Sequence, residues 1–177
     1  MSRNKKLTLS ALITALCVIA LAGSMLLPRV TLSLAALAGI FPAAAVIACG
    51  YGWAGGAFVA AAVLGLLLVP DKTAAIWFVC FFGHYPIWKA LIEAFQTRQG
   101  KPWLGWLLKL LGFAACMALL YFAFGKLFAA AIPYDFSGSA AGPALLAAVL
   151  LIAFVVYDIA FSILIGWFRI RILPKLK

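Results

Sequence analysis

Long apolar stretches alternate with short polar punctuation along the whole chain. A helix that crosses a ~30 Å hydrocarbon core needs about 20 mostly apolar residues. Six stretches meet that requirement, at 7–27, 30–49, 53–69, 73–95, 102–131 and 143–168. The breaks between them are chemical as well as hydropathic. Pro28-Arg29 ends the first, Gly50-Tyr51-Gly52 the second, Pro70-Asp71-Lys72 the third and Gln96–Lys101 the fourth. Pro102 and Pro143 stand at first-turn positions, where the missing N–H costs nothing. Pro42 and Pro86 fall inside the second and fourth stretches and predict kinks that neighbouring helices can absorb. The fifth stretch exceeds one crossing, which predicts a tilt or an extramembrane turn. The runs are continuous rather than alternating, so a transmembrane β-barrel is excluded. The expected fold is an all-α polytopic membrane protein, a single domain of six transmembrane helices over residues 1–177.

Composition sharpens this. Of 177 residues 68% are hydrophobic and 10% charged, against about 45–50% and 25% in soluble domains. A soluble enzyme, a disordered chain and a free nucleic-acid-binding domain are thereby excluded. The net charge of +10 reads as a topology signal, because cytoplasmic loops are rich in Lys and Arg. On one side the six-span layout collects Arg3, Lys5, Lys6, Arg98, Lys101, Arg169, Arg171, Lys175 and Lys177, with no acid. The other side holds Arg29, Lys72 and Lys126 with Asp71 and Asp135. The bias places both termini in the cytoplasm, as an even number of crossings requires. The first apolar run, at about 20 residues, is longer than a usual signal-peptide core, so it reads as a retained helix.

Charged groups inside a membrane are costly and call for a partner or a purpose. His84, Lys89 and Glu93 in span 4, Lys109 in span 5 and Asp158 in span 6 are such groups. At 1.5 Å per residue, Lys89 and Lys109 lie roughly 10 Å from the cytoplasmic end, Asp158 roughly 15 Å and Glu93 about 5 Å. Lys89 and Glu93 are spaced i,i+4 and can pair, and Asp158 is at a depth that either lysine can reach. One reading makes these groups a structural staple of intramembrane ion pairs across spans 4, 5 and 6. The other is a proton or ion relay.

A second set of residues is a candidate ligand site on the outer side. Arg29, Asp71, Lys72, Lys126, Tyr134 and Asp135 sit on or near the outer loops, and Trp77, Phe81, His84 and Trp88 form a stripe at helical spacing. Phe78, Phe82 and Tyr85 form its neighbour. An aromatic pocket capped by a few polar groups suits a small molecule, whereas the same stripe can equally pack or face lipid. Catalytic chemistry has no visible home: no Ser-His-Asp or Cys-His set, no Walker A sequence, and one histidine. Cys17, Cys49, Cys80 and Cys116 lie in apolar runs without metal-ligand spacing and read as small apolar side chains. No cofactor or metal is expected, and no enzyme activity. Gly52 with Gly56, and Ala11 with Ala15, are small-xxx-small pairs that permit close helix approach.

Length, six spans, a basic N-terminus and the Ala11/Ala15 pair within LTLSALITAL together resemble the substrate-binding membrane subunits, or S components, of energy-coupling-factor (ECF) vitamin transporters. The resemblance covers nearly the whole chain. It implies that Ala11 and Ala15 dock a coupling transmembrane subunit, and that two ATPase subunits supply the energy. It also implies that the outer loops close over a small solute in the outer half of the bundle, in a prokaryotic plasma membrane. Three further functions compete on the residues alone: a six-span scaffold of the kind found in cell-shape complexes, without a ligand; a self-sufficient small transporter or channel; and, last, a membrane enzyme, for which no nucleophile–base pair is recognisable.

Overall fold

In the computed structural model, residues 2–131 and 142–171 are described. Seven α-helices follow one another: α1 Arg3–Ala22, α2 Thr31–Cys49, α3 Tyr51–Leu68, α4 Lys72–Trp77, α5 Tyr85–Gln99, α6 Pro102–Ala131 and α7 Gly142–Arg171. A π-helical segment, Phe78–Phe82, joins α4 to α5, so that 72–99 form one crossing. Among the described residues, six helical units are long and apolar enough to span a bilayer, and the chain is a multi-pass membrane protein. Their limits follow the apolar runs to within a few residues. The 30-residue α6 is one continuous helix of about 45 Å, so the excess length is met without a turn. The expected outer loop at 132–141 lies outside the described residues.

The helix ends show why the punctuation works. Ser2 accepts from the Lys5 N–H at the start of α1. Gly50 takes φ 95° between α2 and α3, and Gly100 takes φ 64° after α5. These left-handed conformations favour glycine and let each chain reversal occupy one or two residues.

Span 4 is the axle of the bundle. In its most apolar window 61% of residues are buried, against 17% in α6 and in α7. α5 packs on α2, α3 and α6, while α1 packs on α2 and α3. Leu12, Ile19, Val59, Leu67, Leu111, Ile152, Val156 and Ile163 point outward. An outward apolar surface is what lipid requires, and it leaves close packing and polar contacts to hold the helices together.

The predicted kink at Pro86 takes an unexpected form. Pro86 sits in the first turn of α5 and cannot donate to a carbonyl one turn back. The chain widens before it: the Gly83 N–H donates to Phe78 O at 2.7 Å, five residues back. Gly39 of α2 lies directly over this segment, and a Cβ there would stand 2.5 Å from Phe82 O. A Cβ on Gly83 would meet the Phe58 ring at 2.6 Å. Two glycines thus admit the widened turn into the core. Pro42 is carried inside an unbroken α2.

Candidate functional site

Four charged side chains from three helices meet inside the bundle. Lys89 pairs with Asp158 and, at 3.1 Å, with Glu93; Lys109 pairs with Glu93 at 3.1 Å and with Asp158 at 3.2 Å. The two lysines and two carboxylates balance formally. Lys89, Lys109 and Asp158 are buried, whereas the Glu93 side chain is 47% exposed. An isolated charge at this depth costs about 3 kcal/mol or more, so mutual pairing is what permits four of them.

Two further residues complete the cluster. The Tyr85 hydroxyl donates to Asp158 Oδ1. Lys89 Nζ donates to Ser162 Oγ at 2.8 Å, and Ser162 Oγ donates to the Asp158 carbonyl at 2.8 Å. Neither residue stands among the sequence candidates for the ion pairs, yet spacing exposes both. Tyr85 is one turn before Lys89, and Ser162 is one turn after Asp158. Asp158 is thus held by Tyr85, Lys89 and Lys109 together. A carboxylate saturated by cationic donors offers nothing to a metal ion. Among the described residues no three His, Cys, Asp or Glu side chains converge as a metal site would need.

Above the ions lies an aromatic layer. Phe81, Tyr85 and Tyr157 contact one another at 5.2 to 5.9 Å between ring centroids. Phe113 of α6 stacks on Phe154 of α7 at 4.5 Å, joining two helices whose backbones stay further apart. A groove of about 240 Å³ opens beside this layer, lined by Trp77, Phe81, Phe113, Met117, Phe154 and Tyr157, with Ser33 and Ala36 of α2 opposite.

The expected single stripe on span 4 is divided. Trp77 and Phe81 line the groove, but His84 faces α3 and α6. Its Nδ1 lies 3.2 Å from Val79 O, its Nε2 lies 3.6 Å from Cys116 Sγ, and its ring meets Phe58 edge-on. Trp88 is half-exposed and lies against Gly112 of α6. The cause is the π-helical turn, which shifts the helical phase between Phe81 and His84. The two predicted stripes are mixed by it, and Phe81, Phe82 and Tyr85 share one side against Tyr157.

The polar residues expected on the outer side are placed differently from a ligand shell. Asp71 caps α4: it accepts from the Thr73 N–H at 3.0 Å and from the Thr31 hydroxyl at 3.3 Å. Lys72 donates to the Leu66 and Val69 carbonyls at 2.6 and 2.8 Å, closing the end of α3. Arg29 is exposed in a 3₁₀ turn before α2. None of the three lines the aromatic groove. Tyr134 and Asp135 lie outside the described residues, and so does the Lys126 side chain. Ala11 and Ala15 are exposed on α1. Ala11 borders a shallow groove shared with Gly52, Gly56 and Ala60 of α3. Of the cysteines, Cys17, Cys49 and Cys80 are buried, and Cys116 is half-buried.

Comparison with protein-family models, with curated proteins and with solved structures finds no significant match.

Proposed function

We propose that this chain is the substrate-binding membrane subunit of an ECF-type importer, working in a prokaryotic plasma membrane with both termini in the cytoplasm. The aromatic groove is the observation that carries this reading. With the basic ends inside, the groove lies in the outer half of the bundle. Its residues come from the early turns of α2, from α4 and the π-helical segment that follows it, and from the middle turns of α6 and α7, so it runs from the centre of the bundle toward that side. Its walls are almost wholly apolar. The capping roles of Asp71 and Lys72 remove the basis for an anionic cargo, and the lining suits a small solute with a flat apolar or aromatic body. At about 240 Å³ the groove is smaller than the roughly 300–1,000 Å³ usual for ligand pockets, which limits it to a compact solute.

The chain has no Walker A sequence, and in this proposal transport energy comes from a coupling membrane subunit and two ATPases. The exposed Ala11 and Ala15 form a small-residue dip between the exposed Leu7 and Ile19 on one ridge of α1, where a helix of that coupling subunit can approach closely. The test is affinity purification of the tagged chain from host membranes. The wild type retains the coupling subunit and ATPases, whereas Ala15→Leu loses them and keeps its fold. Retention of the partners by Ala15→Leu removes the docking role. Their absence from the wild type contradicts the importer reading and favours the scaffold.

A further inference from the structure

A second groove opens on the other half of the bundle. It measures about 490 Å³, and its walls include Val46, Tyr51, Pro86, Glu93, Thr97 and Ile165. It leads to the charged cluster through one residue, Glu93. The two carboxylates of that cluster are not equivalent. Asp158 is buried and uses both side-chain oxygens on Tyr85, Lys89 and Lys109. Glu93 is half-exposed, and its Oε1 alone bridges the two lysines, 3.1 Å from each Nζ. Asp158 with two lysines leaves one positive charge, and Glu93 supplies the balance at the groove wall.

We propose that Lys89 and Lys109 form an anion seat in which Glu93 is the resident, exchangeable counter-ion. The groove admits the carboxylate of a small amphiphilic acid to take its place. Exchange of one carboxylate for another leaves the buried charge balanced, which avoids the penalty of an unpaired ion. Each ammonium carries three donors without a fixed plane, so the seat accepts a carboxylate in more than one orientation. Glu93 stands two turns from the end of α5, where a long flexible side chain can swing toward the polar membrane surface. About half of the exposed wall is apolar, from alanine, valine, isoleucine and proline, and the rest is polar, with Tyr51 and Thr97 beside Glu93, which suits a short amphiphilic body behind the charged head. This site uses different residues from the aromatic groove and stands without the importer reading. Partner purification tests that reading, and the isolated chain tests this one.

The experiment uses the full chain in nanodiscs of neutral phosphatidylcholine, with octanoate representing a bilayer-derived acid and benzoate a soluble one. Glu93→Gln empties the seat, so its thermal midpoint should fall in carboxylate-free buffer. Octanoate or benzoate should restore it by at least about 4 °C, and the more effective acid names the source. Either acid should bind Glu93→Gln about tenfold or more tightly than it binds wild type, which retains its own counter-ion. If Glu93→Gln folds only when purified with one of these acids, that is the same rescue. Acetate, without an apolar body, and octanol, without a charge, should do neither. The double variant Glu93→Gln/Lys109→Met keeps Lys89 balanced by Asp158 and should fold without responding to any acid. An unchanged midpoint in Glu93→Gln, no rescue by either acid, or equal rescue by octanol or acetate overturns the proposal.

Discussion

The two halves of this bundle are joined by different physics. Helices α1, α2 and α3 meet through small residues: Ala35, Ala38, Ala45, Ala54, Ala57 and Ala61 are buried at their contacts. Their polar contacts are modest, such as the Thr14 hydroxyl 3.3 Å from Ala57 O. Helices α5, α6 and α7 meet through large rings and four charges. In lipid there is no hydrophobic force between helices, so the first half relies on close backbone approach. The second half has less backbone contact and depends on side chains that can rearrange. Under the importer proposal, the close-packed half would act as the frame and the half joined by side chains as the part that adjusts around a solute.

The contrast can be broken most severely at Asp158. Asp158→Asn leaves two buried lysines facing Glu93 alone. It should cost about 3–5 kcal/mol, measured by reversible unfolding in bicelles. Replacing the cluster by apolar residues of similar volume should be nearly neutral for stability, which separates holding the helices from any further purpose of the ions. In the close-packed half, Gly39→Ala places a methyl against Phe82 O and should cost about 1–3 kcal/mol. The effect should reach the aromatic groove, because Phe82 belongs to it. Smaller again is Asp71→Ala, which removes the N-cap of α4 and should cost about 1 kcal/mol. It should leave solute affinity unchanged, since Asp71 does not line the groove. Gly52→Ala should be close to silent in the isolated chain, because nothing lies within 4 Å of the added methyl.

How much was legible in the sequence differs between the same two regions. The spans were readable because membrane thickness fixes the length of every apolar run. The partnership of Lys89, Glu93, Lys109 and Asp158 was readable because unpaired charges are so unfavourable at that depth. The division of the aromatic stripe was not, because it depends on a π-helical turn that forms just before Pro86, with Gly39 of α2 against Phe82. Helical spacing assumes 3.6 residues per turn, and one wide turn moves His84 away from Phe81. The capping role of Asp71 was available in Pro70-Asp71-Lys72-Thr73, an N-cap pattern before a helix. It was obscured by reading every outer charge as a ligand contact. Ala11 and Ala15 were visible as a spacing, but their exposure is a fact of packing that periodicity alone does not supply.

The central claim is that the aromatic groove holds a small solute, and Ala153 tests it most directly. Ala153 lines the groove and is otherwise exposed, so Ala153→Phe should fill the space without disturbing the core. Native mass spectrometry of the wild-type chain, purified with a lysate-derived metabolite pool, should show one small apolar or aromatic molecule bound per chain. The Ala153→Phe protein should be equally folded and carry none. A wild type with no retained molecule, or a variant that keeps the same one, would contradict the account.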